Sequence, residues 1–372
     1  MLTEFSTIDS ITCDYFPACS GCENQQHVSS PPIYPEINSF FNKEVPLFTG
    51  DLIHWRTRAK LAVRRDRGIQ MGLFKKNSHE VVSIPRCPLH HPSIEKGYAL
   101  LVDRMQAFGI EPYCETSGKG LLRYVQWTVE RRTGAIQLVL VANSKNFPLE
   151  FCKELFHSLL FSSIWVNTQT EKTNRIFGDT WECVISSSEF IWEKIGRVEI
   201  PFHPACFIQA HLPMFEKMLE SIRKTILPKK KVVEFYGGVG AIALNVADLS
   251  SQVICSEINP HAQACFEKGL EKNKIETAQF VLGKSEDLEF LLSEAEVLIV
   301  DPPRKGLERG FLDAVIATGV IQQIIYVSCY FPSFKRDCEL LLKEGWKVRL
   351  AEAYLFFPGT NHLETLCIFS KF

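Results

Sequence analysis

From about residue 216 onward, short apolar runs alternate with amphipathic ones, and this rhythm restricts the fold more than any other feature. MFEKMLESIRKTI has helical spacing. After it come VVEFYG, QVICSEI, AQFVLG, VLIVDPP, IIYVSC, WKVRLAEAYLF and LETLCIF. Strands that are apolar on both faces and separated by helices belong to a parallel, doubly wound sheet covered on both sides. The last two are joined only by a Pro-Gly-Thr-Asn turn. That is too short for a crossover, so they are expected to be antiparallel.

The 372 residues suit two or three domains. Three are expected. Residues 1–92 are rich in Cys, Pro and aromatics and hold a strand hairpin turning at Asp66-Arg67-Gly68. Residues 93–215 read as α+β, with a helix from Ile94 to Phe108 and the alternating segments LLRYVQWTVE, GAIQLVLVAN, SIWVNTQ and WECVIS. Residues 216–372 carry the α/β pattern described above. The expected class is α/β with a C-terminal Rossmann-like domain.

Within that domain, EFYGGVGAIALNVA (234–247) is a strand, a Gly-rich turn and a helix. Glycines allow a tight turn and a close ligand approach, but such a match alone is weak. Glu257 closes the next strand about 20 residues on, where a carboxylate accepts from ribose hydroxyls. Glu234 precedes the turn and no P-loop Lys-Ser/Thr follows it. A nucleoside bearing a positive charge, S-adenosylmethionine above all, therefore fits better than a phosphate cradle. A nicotinamide dinucleotide is the alternative.

Ligands of open parallel sheets bind outside the carboxyl ends of the strands. Asp301 ends VLIVD before a stiff Pro302-Pro303 turn. Cys329 ends IIYVSC. Glu364 begins the last strand, and an antiparallel strand starts at the edge where its neighbours finish. Asp301, Cys329 and Glu364 are thus expected on one edge. Each has an ordinary reading as well: a cap or turn former, a small buried hydrophobe, a solvated turn residue.

No apolar run is long enough to cross a bilayer, and MLTEFSTIDS lacks the signature of a signal peptide. A cytoplasmic location is expected. The 13 cysteines should then be reduced, metal-bound or catalytic. CDYFPACSGC places Cys13, Cys19 and Cys22 within ten residues, and Cys87 follows in SIPRCPLHHP. The spacing favours a [4Fe–4S] cluster, with zinc as the alternative through His90 or His91. The net charge of −2 does not mark a nucleic-acid binder. Between His54 and Glu80, however, eight Lys/Arg (Arg56, Arg58, Lys60, Arg64, Arg65, Arg67, Lys75, Lys76) face two acids, with Trp55 and Phe74 among them. Basic strands with interleaved aromatics suit RNA, and a solvated charged face reads the same way.

Taken together, these residues resemble the RNA 5-methyluridine methyltransferases, class I S-adenosylmethionine enzymes that methylate uracil C5 in tRNA and 23S rRNA. The resemblance covers nearly the whole chain: the four cysteines, WRTRAK, SHEVVSIPRCPL, TNRIFG, FIQAH, EFYGGVG, Glu257, DPPRKGL, the Ser328-Cys329 pair and PGTNHLET. The family's TRAM domain is absent from this sequence, which is most similar to the shorter members acting on 23S rRNA. The resemblance implies cofactor contacts by Gln209, Tyr236, Gly238 and Glu257, with Asp301 between cofactor and uracil. It implies Cys329 as nucleophile, Glu364 as base, and Cys13, Cys19, Cys22 and Cys87 as cluster ligands. The expected partner is RNA, bound by a monomer away from membranes. Two positions depart from the family pattern. Tyr330-Phe331 stands where the family has Asn-Pro after the cysteine, and Glu234 stands where it has Asp.

Overall fold

The structure, a computed structural model, describes residues 9–371. The chain divides into two units, each built from two separated segments. One comprises residues 9–28 and Asp51–Ile191; the other comprises Ser29–Gly50 and 192–371.

The first unit is a seven-stranded sheet. Its order is Val81–Ser83, Ile69–Phe74, Arg58–Arg65, Leu122–Val129, Ile136–Ala142, Phe161–Thr168, Thr180–Ser186. Neighbours are antiparallel except Ile136–Ala142 and Phe161–Thr168, which run parallel around helix Leu149–His157. Period-two alternation sorts the side chains. Val125, Trp127 and Val129 join a core with Ile94, Leu101 and Met105 of helix Pro92–Ala107. The expected boundary at 92/93 is not a division of the fold, because strands on both sides of it belong to this one sheet.

The second unit carries the doubly wound sheet. Lys231–Phe235 is central. Gln252–Glu257 and Ala278–Leu282 lie on one side of it, Val297–Val300 and Gln323–Ser328 on the other, all parallel. Glu364–Ser370 then inserts antiparallel between Gln323–Ser328 and Lys347–Tyr354, as the short turn required. The chain reverses its winding between Lys231–Phe235 and Val297–Val300, so the ligand crevice of such a sheet opens at their carboxyl ends. Helix Leu212–Thr225 buries Leu212, Phe215, Met218, Leu219 and Ile222 at helical spacing. Each such side chain stabilises the fold by about 1.5–3 kcal/mol.

Two parts of this unit lie outside the expected 216–372. Residues 192–215 belong to it. So does 29–50, whose strand Leu47–Phe48 adds parallel to the edge strand Lys347–Tyr354, with Phe48 stacked on Tyr354 at 4.9 Å. A two-residue strand has no periodicity to read. Among the described residues, no helix is long and apolar enough to cross a membrane.

Candidate active site

The Gly-rich turn is built by contacts that exclude side chains. A Cβ on Gly237 would stand 2.4 Å from the Cys255 sulfur, and one on Gly240 (φ +78°) would stand 2.2 Å from the Phe266 ring. Gly238 (φ +55°) faces open space instead. Its N–H donates to Glu257 Oε2 at 3.1 Å, and the N–H groups of Ile258 and Asn259 donate to Oε1 at 2.9 Å. Glu257 thus holds the turn and still keeps lone-pair capacity for a ligand hydroxyl. The Tyr236 hydroxyl accepts from Ser285 Oγ at 2.7 Å. Glu234 lies buried beneath the turn, where its Oε2 accepts from the Ala243 N–H at 2.9 Å. Burial pushes its carboxyl up to about 8, against the lowering effect of that hydrogen bond.

Asp301 follows strand Val297–Val300, the neighbour of Lys231–Phe235, and Gln209 Nε2 donates to its Oδ2 at 3.1 Å. Desolvation pushes the Asp301 carboxyl up to about 7. Cys329 follows the next strand, and Glu364 opens the antiparallel one. The register pairs Ser328 with Thr365, which sets Glu364 beside Cys329. Burial pushes the thiol up to about 12. The Glu364 and Asp301 charges push the same way, and Arg304 opposes them. Glu364 is 1% exposed, and its Oε1 has no hydrogen-bond partner. Burial holds it well above the usual carboxylate range, and the Asp301 charge adds to the effect. A buried, unpartnered carboxyl oxygen is costly. Here it stands beside the Cys329 thiol, whose proton affinity its charge raises.

The structure therefore brings Gln209, Asp301, Cys329 and Glu364 to one place, at the same carboxyl edge as Tyr236, Gly238 and Glu257. Two partners were not read from the sequence. Arg304 is the cation beside the thiol, and its only signal is its place directly after the Pro-Pro turn. Ser285 secures Tyr236 from the start of a three-residue 3-10 helix, Ser285–Asp287, too short to carry a pattern.

In the first unit, Cys13, Cys19, Cys22 and Cys87 are free thiols that line one cavity of about 150 Å³, together with Arg56. The Gly21 N–H donates to Cys19 Sγ at 3.4 Å. Burial, and then the charges of Cys87, Cys13 and Cys19, push Cys22 up to about 12. Among the described residues, no three His, Cys, Asp or Glu side chains converge to hold a single metal ion. The four thiols ring a space, and such a donor set fits a group larger than one ion. His91 is occupied as a helix cap, its Nδ1 accepting from the Ser93 N–H at 3.2 Å. Burial, and then the Arg56 charge, pull His90 down to about 3 and keep it neutral.

The basic run divides in two. Arg64 donates to the carbonyls of Val63 and Arg123, bonds Glu115 and packs on Tyr124, so it serves the fold. Arg65, Arg67, Lys75 and Lys76 are exposed, although Arg65 also pairs with Glu111 at 2.8 Å.

No family model matches the chain. It is 40% identical, over 97% of its length and 98% of the relative's, to a Protochlamydia amoebophila protein named an uncharacterized RNA methyltransferase. It is 31% identical to a Clostridium acetobutylicum protein of the same description, over 90% of this chain and 73% of that one. Its fold is similar to the crystal structure of Pyrococcus abyssi tRNA (uracil-54, C5)-methyltransferase in complex with S-adenosyl-L-homocysteine. The TM-score is 0.80 and the identity 22%, over 95% of this chain and 86% of the other.

Proposed function

This chain belongs to the RNA methyltransferases, and from that premise we propose that it methylates C5 of a uridine, in 23S rRNA, through a covalent adduct with Cys329. The observation that carries the reading is the convergence of Cys329, Glu364 and Asp301 on one strand edge. Methylation at nitrogen or oxygen needs only a lone pair, and it would leave a half-buried thiol and an unpartnered carboxyl without use.

S-adenosylmethionine, when bound, supplies a methyl group made electrophilic by its sulfonium. Tyr236, Gly238, Glu257 and Gln209 would hold it, with Glu257 at the ribose. Arg304 and the sulfonium charge both favour the Cys329 thiolate, against burial and the two carboxylates. The thiolate adds to uracil C6, which makes C5 nucleophilic toward the methyl group. Glu364 then takes the C5 proton, a step served by its raised proton affinity once it is ionised. The C6–S bond breaks and returns the thiolate. Asp301, held by the Gln209 amide, would stand between the two substrates. The uridine has to leave its stack to reach Cys329.

Cys13, Cys19, Cys22 and Cys87 would hold a [4Fe–4S] cluster that ties the N-terminal segment to the strands near Cys87. The reaction needs no redox step from it. The exposed lysines and arginines of the 65–76 hairpin would meet the RNA backbone. The chain would act as a cytoplasmic monomer. A tRNA uridine is the second candidate target, because the Pyrococcus abyssi enzyme of like fold acts on tRNA by name.

RNA containing 5-fluorouridine tests the mechanism. Fluorine at C5 cannot leave as a proton does, so methyl transfer should halt at the adduct. A cofactor-dependent protein–RNA complex that survives denaturation is expected, and Cys329→Ala should not form it. An adduct formed equally by Cys329→Ala would overturn the mechanism.

A further inference from the structure

The chemistry above leaves the rim of the site without a task. Tyr330 directly follows the thiol and is 36% exposed, while its neighbours Phe331 and Phe334 are buried in the core. Its backbone is held firmly. The N–H donates to Ser328 Oγ at 3.3 Å, and the carbonyl accepts from Ser333 Oγ at 3.1 Å. His362 stands two residues before Glu364, with its ring centroid 6.4 Å from that of Tyr330 at an interplanar angle of 56°. Tyr330 thus follows one member of the reactive pair in the chain, His362 shortly precedes the other, and the two rings face each other.

Extruding a uridine takes it out of contact with the bases on either side, and each neighbour loses a stacking face. An aromatic ring at the mouth can replace that face, because every base has a π-surface to stack. The asparagine of the family pattern cannot do this. We propose that Tyr330, braced by His362, stacks on the nucleotide next to the flipped uridine and so selects the RNA context in which a uridine is accepted. The proposal rests on the reading of the chain as a uridine-C5 methyltransferase.

The test uses the full-length protein and a hairpin RNA whose loop holds one C5-tritiated uridine between 2-aminopurines. The fluorescence of 2-aminopurine is quenched when the base stacks. Wild type and Tyr330→Phe are expected to quench it. Tyr330→Ala should lose the quenching and raise the KM for RNA by about ten- to a hundredfold, with kcat changed only a few-fold. His362→Ala should fall between. Quenching depends on binding and not on turnover, so the two readings separate. Quenching that needs Tyr330, without tritium release, would leave the stack standing and sink the C5 chemistry. Tritium release with unchanged KM and quenching in Tyr330→Ala, or no quenching by wild type, would overturn the stack.

Discussion

Glu364 is buried with one carboxyl oxygen unpartnered, a condition that folds avoid unless a ligand completes it. Replacing it with Gln keeps the shape and removes the base. Glu364→Gln is expected to lower kcat by about 10²–10⁴-fold and to let the Cys329–RNA adduct accumulate on denaturing gels. A variant with wild-type turnover would retire Glu364 as base. The buried acids also predict a pH dependence of stability. Burial raises Glu234 to about 8 and Asp301 to about 7. An acid with a raised folded-state pKa stabilises the fold fully below its unfolded value near ~4, and that contribution is lost as pH rises through the folded value. Below about pH 6.5 the neutral, buried His90 works the other way, so the ligand-free protein should melt at falling temperatures from about pH 6.5 to about pH 8, and Glu234→Gln should flatten the slope. A wild-type Tm that climbs across that window contradicts the assignment. At this scale the sequence was informative about position and silent about state. Cys329 and Glu364 could be placed because each sits at a strand end. Their proton affinities depend on burial, and the Arg304 cation is set beside the thiol by a turn with no period to read.

The turn between Lys231–Phe235 and Ala241–Val246 shows how neighbouring glycines carry different burdens. Gly240→Ala would drive a methyl into Phe266 at a positive φ, so it should destabilise the protein by about 1–3 kcal/mol. Gly238→Ala meets open space and should cost about 1–2 kcal/mol through φ alone. Its larger effect should fall on S-adenosylmethionine affinity, since the added methyl points where the ligand would lie. Denaturant unfolding and calorimetric titration separate the two. Equal stability losses with unchanged ligand affinity would contradict this division. The parallel strands and the final antiparallel pair were legible because long apolar runs and a short turn leave few alternatives. Strand Leu47–Phe48 was not, because two residues at a sheet edge are recruited by their partner Lys347–Tyr354 and carry no pattern of their own.

The whole molecule is two units made from interleaved segments, and here the sequence misled most. Composition changes near residue 92, but hydrogen bonding does not, so one sheet spans that point. Residues 29–50 interrupt the first unit to complete the second, and only long-range pairing reveals it. The four-cysteine cavity is the part of the whole that is independent of the strand edge. Cys22→Ser is expected to abolish iron and acid-labile sulfide in anaerobically purified protein, while Cys114→Ser, at an exposed thiol outside the cavity, leaves both unchanged. Equal iron in the two variants would refute a cluster there. The central claim remains the carbon that is methylated. Tritium release from unmodified 23S rRNA labelled at uridine C5, with S-adenosylmethionine and anaerobically purified protein, tests it most directly. The account predicts cofactor-dependent release that Cys329→Ala abolishes. Methyl incorporation without release would place the new bond on nitrogen or oxygen and contradict the account.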